Sequence, residues 1–203
     1  MAYIDDQANF WTTLRLQRDE TGDIYAGPMA TMEASEPFRD WLPGVLADLG
    51  ITTMLDAPCG CWTWMQHVDL GTVKYQGWDV EPTIVERNQQ NHGRDNVQFS
   101  QANLLTEVKI PEVDLILCRD FMMHLPDPQI VDLLEKFVAS GSKYLLASNF
   151  PGSTEEFAHN PESDPLKGDA RTFDLRNLLT GLVQELPEAS HRTMDLYDLQ
   201  ANR

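Results

Sequence analysis

Residues 52–62 read TTMLDAPCGCW, and the fold is decided by how this stretch is read. The run TTMLDA is short, apolar and rich in strand formers. It stops at Asp56 and is followed by a Pro58-Cys59-Gly60 turn. In an open parallel sheet, ligands lie outside the carboxyl ends of the strands. A turn at such a strand end must let backbone approach the ligand, which calls for a residue without a side chain, and Gly60 supplies it.

Working outward, short apolar runs alternate with amphipathic stretches, the pattern of a parallel sheet covered by helices. Residues 74–80 (KYQGWDV) read as a second strand that ends in Asp79-Val80, and residues 97–103 as a third. Residues 114–120 (DLILCRD) are a fourth, apolar up to a polar end, as suits a strand buried on both faces. Residues 143–150 (KYLLASNF) are a fifth. Helices are predicted over 36–49, 82–90 and 127–139, with Pro82 and Pro128 in first turns, where the missing N–H is harmless. On the last of these, Ile130, Leu133, Leu134, Phe137 and Val138 share one face, and Gly141 ends it. Residues 103–114 leave no room for a full helix. Residues 22–33 form a glycine-containing loop, read either as a lid or as a plain connection. The stretch 151–172 carries three prolines and reads as a long loop, 175–182 as helical, and 192–199 (RTMDLYDL) as an alternating edge strand. The expectation is one α/β domain over 1–203: an N-terminal segment (1–35), a ligand-binding core (36–150), and a C-terminal loop with an edge strand (151–203).

Composition narrows the function. With 203 residues the chain can bury a real core, and its formal net charge of -17 disfavours an extensive duplex nucleic-acid surface. No apolar run reaches the ~18 residues of a membrane span. The acidic start MAYIDDQANFW lacks secretory features, which makes the cytoplasm the expected location. Three cysteines, Cys59, Cys61 and Cys118, give no disulfide framework.

Asp79 lies 23 positions after Asp56, at the end of the next strand. A carboxylate there can accept both hydroxyls of a ribose, and Val80 would offer an apolar face to an adenine. The competing reading is that Asp56 and Asp79 cap neighbouring helices. Neither a G-x-G-x-x-G nor a G-x-x-x-x-G-K-[ST] array is present, so neither a nicotinamide nor a nucleoside triphosphate is indicated.

Four stretches, LDAPCGCWTWM, YQGWDVEPTIVERNQ, DLILCRDFMMHLPDPQI and SGSKYLLASNFP, recur in this order. Together they resemble a bacterial family of class I S-adenosylmethionine-dependent methyltransferases, with its LDAPCGDFNWM, YIGADIVPEIVEQN, DLIICRDCLFHLS and SGSKYLLTTTFP. The upstream GPMATMEASEPFRDWLP and the closing TMDLYDL are similar to family segments as well. The resemblance implies a Rossmann-like class I methyltransferase fold: a mostly parallel central sheet, helices on both faces, and an antiparallel edge strand. It also implies S-adenosyl-L-methionine as cofactor, a ligand with no phosphate and no need of either glycine array. Asp56, Ala57, Pro58, Cys59 and Gly60 would wrap its methionine part and Asp79 its ribose. Asn103-Leu104 would lie beside the adenine, and Arg119-Asp120 would face the amino acid end or the reaction centre. The chain departs from the family at Cys61-Trp62, where Asp-Phe is usual, and at Asn103, where an acid is usual.

Asp120 and His124 are the candidate general bases, the first ending a buried strand and the second just beyond it; His124 also reads as an ordinary core histidine. Trp62 and Trp64 either line the pocket, where an aromatic suits a sulfonium, or pack in the core. In the expected strand order, the three cysteines with His124 could offer a zinc set, but small buried apolar residues explain them as well, and no metal is assigned. The [DN]-P-P-[YFW] signature of adenine-N6 methylation is absent, and Pro58-Cys59 sits in the cofactor loop, not at a cytosine nucleophile position. The acceptor is therefore expected to be a small molecule or a protein side chain. The rival readings are a non-catalytic S-adenosylmethionine-binding module and an enzyme that degrades that compound; nucleotide-sugar or nicotinamide binding is a further one.

Overall fold

The computed structural model describes residues 28–106, 109–152, 173–188 and 192–203. The lid suggested at 22–33 lies outside these up to residue 27, and the loop at 151–172 from residue 153. The fold divides after Asn103 into two compact units.

In the first unit, α1 (Glu36–Asp48) buries Phe38, Leu42, Val45 and Leu46, a stripe at helical spacing. β1 (Thr53–Asp56), β2 (Lys74–Asp79) and β3 (Val97–Gln101) run parallel in the order β3-β2-β1. The register pairs Asp56 with Gly77 and Asp79 with Gln101, so β2 ends level with β3 and two residues beyond β1. α2 (Pro82–His92) joins β2 to β3 and turns Ile84, Val85 and Asn88 inward. Between β1 and β2 the crossover holds no α-helix, only a 3-10 turn, Met65–His67. Trp62, Trp64, Met65 and Val68 are all buried, so this segment packs as a compact loop anchored by its own side chains.

The second unit holds β4 (Leu115–Cys118), α3 (Asp127–Ala139), β5 (Tyr144–Asn149), β6 (Leu182–Pro187) and β7 (Thr193–Asp198). Its strands follow the order β4-β5-β7-β6, with β4 and β5 parallel and β7 antiparallel to both of its neighbours. Every residue of β4 is buried, as its unbroken apolar run predicts. Two expectations are corrected. The alternating stretch near the C-terminus is β7, which is paired on both sides; the edge is β6, which the sequence did not announce. β6 exposes residues on both faces and so lacks the alternation by which a half-buried strand is recognised. The helix expected over 175–182 is a 3-10 turn, Leu175–Asn177, before β6 begins at Leu182.

Candidate functional site

The first unit builds a cradle from the ends of β1 and β2. Gly60 has φ +56°, a left-handed conformation that favours glycine, and a side chain there would meet nothing within 4 Å. The space beside this backbone is open. The Gly60 N–H donates to Asp79 Oδ2 at 3.0 Å, and the Glu81 N–H donates to Asp79 Oδ1 at 3.1 Å. Asp79 does not cap α2; Glu81 does, accepting from the Ile84 N–H at 2.8 Å. The capping explanation of Asp79 is thereby removed. The Gly60 carbonyl accepts from Asn88 Nδ2 at 2.8 Å, and the Cys59 N–H donates to the Trp78 carbonyl at 2.8 Å. The turn is thus held on both sides of Gly60.

Burial is graded around this turn. Asp56, Ala57 and Asp79 are buried at 3 %, 0 % and 1 % exposure, and Cys59 is nearly so. Pro58, Gly60, Val80 and Asn103 are half-exposed. Val80 is tied to the end of β3, its carbonyl accepting from Gln101 Nε2 at 3.1 Å, while the Ala102 N–H donates to the Asp79 carbonyl at 2.9 Å. These bonds carry the chain to Asn103 beside the tip of β2.

Trp62 takes the packing alternative of the two readings given to it. It is 2 % exposed and packs against Tyr75, Phe99 and His92, with ring centroids 5.6, 5.3 and 4.8 Å away. The Arg94 guanidinium lies 5.9 Å from its ring. Trp64 is also buried, edge-on to Phe38 at 5.4 Å. Both belong to the core. Beneath the turn, Tyr75 donates its hydroxyl to Asp56 Oδ2 at 2.5 Å. Burial, and then the Asp56 charge, hold the Tyr75 phenol well above its ordinary value.

The second unit gathers an ionic cluster at the end of β4. Arg119 Nη1 lies 3.1 Å from Asp120 Oδ2, and its Nη2 is 3.4 Å from Glu188 Oε1. Arg192 pairs with the second oxygens of both acids, Asp120 Oδ1 and Glu188 Oε2. Asp120 has φ +56°, unusual for a residue with a side chain, and its N–H donates to Ser148 Oγ at 2.9 Å. Both carboxylate oxygens of Asp120 are therefore engaged by guanidinium groups. His124 ends the turn Met122–His124 and is half-buried. Burial lowers its pKa below the ordinary histidine value, with the Asp120 charge opposing. Leu104 is buried. The three cysteines are buried and not joined in disulfides, and among the described residues no group of three or more His, Cys, Asp or Glu is placed to hold a metal. A groove of about 610 Å³ in this unit is lined by Leu134, Val138, Leu178 and Leu179 with Glu135 and Arg203, and none of the candidate catalytic or cofactor-binding residues lines it.

Sequence reading missed Tyr75, Gly77, Asn88, Glu188 and Arg192. Two left a signal. Asn88 falls four residues after Ile84 on the buried stripe of a helix, and Gly77 interrupts a strand. A side chain at Gly77 would sit 2.6 Å from the Phe99 ring and 3.1 Å from Cys59 Sγ.

No family model and no curated protein sequence matches the chain. Solved structures do. The magnesium protoporphyrin IX methyltransferase of Synechocystis PCC 6803, with S-adenosylhomocysteine bound, superposes with a TM-score of 0.60 at 12% identity, over 94% of this chain and 93% of that one. An O-methyltransferase family protein from Burkholderia thailandensis gives a TM-score of 0.61 at 17% identity, over 83% of this chain and 57% of that one. Human N-acetylserotonin methyltransferase, in complex with S-adenosylmethionine, gives 0.54 at 14% identity, over 95% and 66%. The chain thus spans nearly all of the first of these and about two thirds or less of the other two. At such identities the likeness is one of fold. The chain has the Rossmann-like class I methyltransferase fold, an α/β architecture with mostly parallel strands, helices around them, and an antiparallel pair at the edge.

Proposed function

We propose that this protein is an S-adenosylmethionine-dependent methyltransferase acting on a small-molecule acceptor. One observation carries the reading: the bare Gly60 turn and the Asp79 carboxylate meet, 3.0 Å apart, at neighbouring strand ends. S-adenosylmethionine supplies a methyl group already activated on a sulfonium, so positioning can provide most of the catalysis. The chain's part is to hold the ligand. Asp79 accepts from the Gly60 and Glu81 N–H groups, one on each oxygen, and a carboxylate at the end of the second strand is the group that suits ribose hydroxyls. Asp56, Ala57, Pro58, Cys59 and Gly60 would receive the methionine part, and Val80, Asn103 and Leu104 the adenine, with the Asn103 carbonyl oxygen accepting from the adenine amino group. Trp62 acts through packing rather than ligand contact.

The ion pairs of Asp120 suit it to positioning rather than to taking a proton. His124, held neutral by burial, is the better base where the acceptor must lose one. Arg119 keeps its proposed place toward the amino acid end of the cofactor. The small-molecule acceptor is favoured because two structural neighbours are a complex with apigenin and a mitomycin 7-O-methyltransferase. The test is incubation of the full chain with methyl-labelled S-adenosylmethionine and a panel of hydroxylated aromatic compounds. Label on an acceptor supports transfer. Label released without an acceptor makes the protein a degrading enzyme, and binding without turnover makes it a non-catalytic module.

A further inference from the structure

We infer that Tyr75, braced by Trp62, is a positioning residue that fixes the Asp56 carboxylate to receive the α-ammonium group of the ligand. The inference rests on the function proposed above and deepens it. Asp56 ends β1 at 3 % exposure, and a carboxylate so removed from water needs donors held at its oxygens. The Tyr75 hydroxyl is one of them, 2.5 Å from Oδ2, a charge-assisted distance. Register explains how it gets there. Met54 pairs with Tyr75 and Asp56 with Gly77, so Tyr75 stands one pleat behind Asp56 on the same face of the strand pair. Between them Gly77 contributes no side chain, and the Phe99 ring and the Cys59 sulfur fill that place.

Tyr75 is itself immobilised. It is 1 % exposed, with the Trp62 ring 5.6 Å away and edge-on and the Phe99 ring 5.9 Å away. Trp62 is one of the residues at which the chain departs from the motifs it resembles, and it adopts φ +58° to fill this position. The phenol stays protonated, so it remains a donor throughout the neutral range. A donor fixed on Oδ2 sets the rotation of the carboxylate. A carboxylate already oriented loses little freedom when a cation arrives. In an adenosyl sulfonium ligand, the cation on the amino acid end is the α-ammonium.

Calorimetric titration of the full chain with two ligands tests this: S-adenosylhomocysteine, which carries the α-ammonium, and 5′-methylthioadenosine, which has the adenosine and sulfur without it. Tyr75→Phe is expected to weaken the first by about tenfold and the second by less than about twofold. Asp56→Asn should show the same selectivity, and the double variant should lose less than the sum of the two. Should Tyr75→Phe fail to fold, Trp62→Phe keeps the hydroxyl and loosens its brace, and it must show the same ligand selectivity in milder form. Equal weakening of both ligands, or none, makes Tyr75 a packing residue and overturns the inference. An unaltered chain that binds neither ligand takes down the proposed function along with it.

Discussion

Asp79 serves the fold with the two oxygens that the proposed function turns toward the ribose. It accepts from the Gly60 and Glu81 N–H groups, so its removal strips two backbone N–H groups of their partner. Asp79→Ala should lower stability by about 1–3 kcal/mol in urea unfolding and abolish most S-adenosylhomocysteine affinity. Gly77 is a second such position, for packing reasons. Gly77→Ala drives a methyl group into the Phe99 ring, and a loss of about 1–3 kcal/mol is expected from the same measurement. His124 gives a pH signature. Its folded pKa is lowered, chiefly by burial, so below the unfolded value of about 6.5 the unfolded chain binds more protons than the folded one. The His124 contribution is complete above that value and shrinks as pH falls through the window beneath it. The melting temperature should therefore drop further between about pH 7 and pH 5.5 in the natural chain than in His124→Gln. An equal drop in both would place His124 outside the acid response.

At the level of elements, what could be read in advance was whatever leaves a local mark. β4 shows itself as DLILC, α3 by its five apolar positions, and the cradle by a glycine and an acid at successive strand ends. The ionic cluster left no such mark. Arg119 and Glu188 are 69 positions apart and Arg192 and Asp120 are 72 apart, so only the folded sheet brings them together. β6 was missed because both of its faces are exposed, and the crossover after β1 because aromatic packing replaced helical periodicity. Asp120, legible as a strand-end acid, has a role decided by two arginines that the local pattern does not reveal. The cluster makes its own prediction. Arg192→Met leaves the Asp120 and Glu188 carboxylates with half their counter-charge in a buried setting. A loss of about 3–5 kcal/mol should follow, read from the urea midpoint. Arg192→Lys should recover only part of it, because a single ammonium cannot span two carboxylates as the guanidinium fork does.

For the whole molecule, a net charge of -17 disfavours an extensive nucleic-acid surface. Among the described residues, no helix is long and apolar enough to cross a membrane. Binding to the folded state alone should raise the melting temperature with ligand concentration. At about 100 times the dissociation constant, the gain is about 2.7 kcal/mol. S-adenosylhomocysteine should produce this shift and NADH should not. The most direct trial of the central claim is a calorimetric titration of the full chain with S-adenosylhomocysteine, run in parallel on Asp79→Ala. One saturable site in the natural chain, lost or strongly weakened in the variant, is the predicted result. Absence of binding by the natural chain, or equal binding by both, would contradict a ligand held between Gly60 and Asp79.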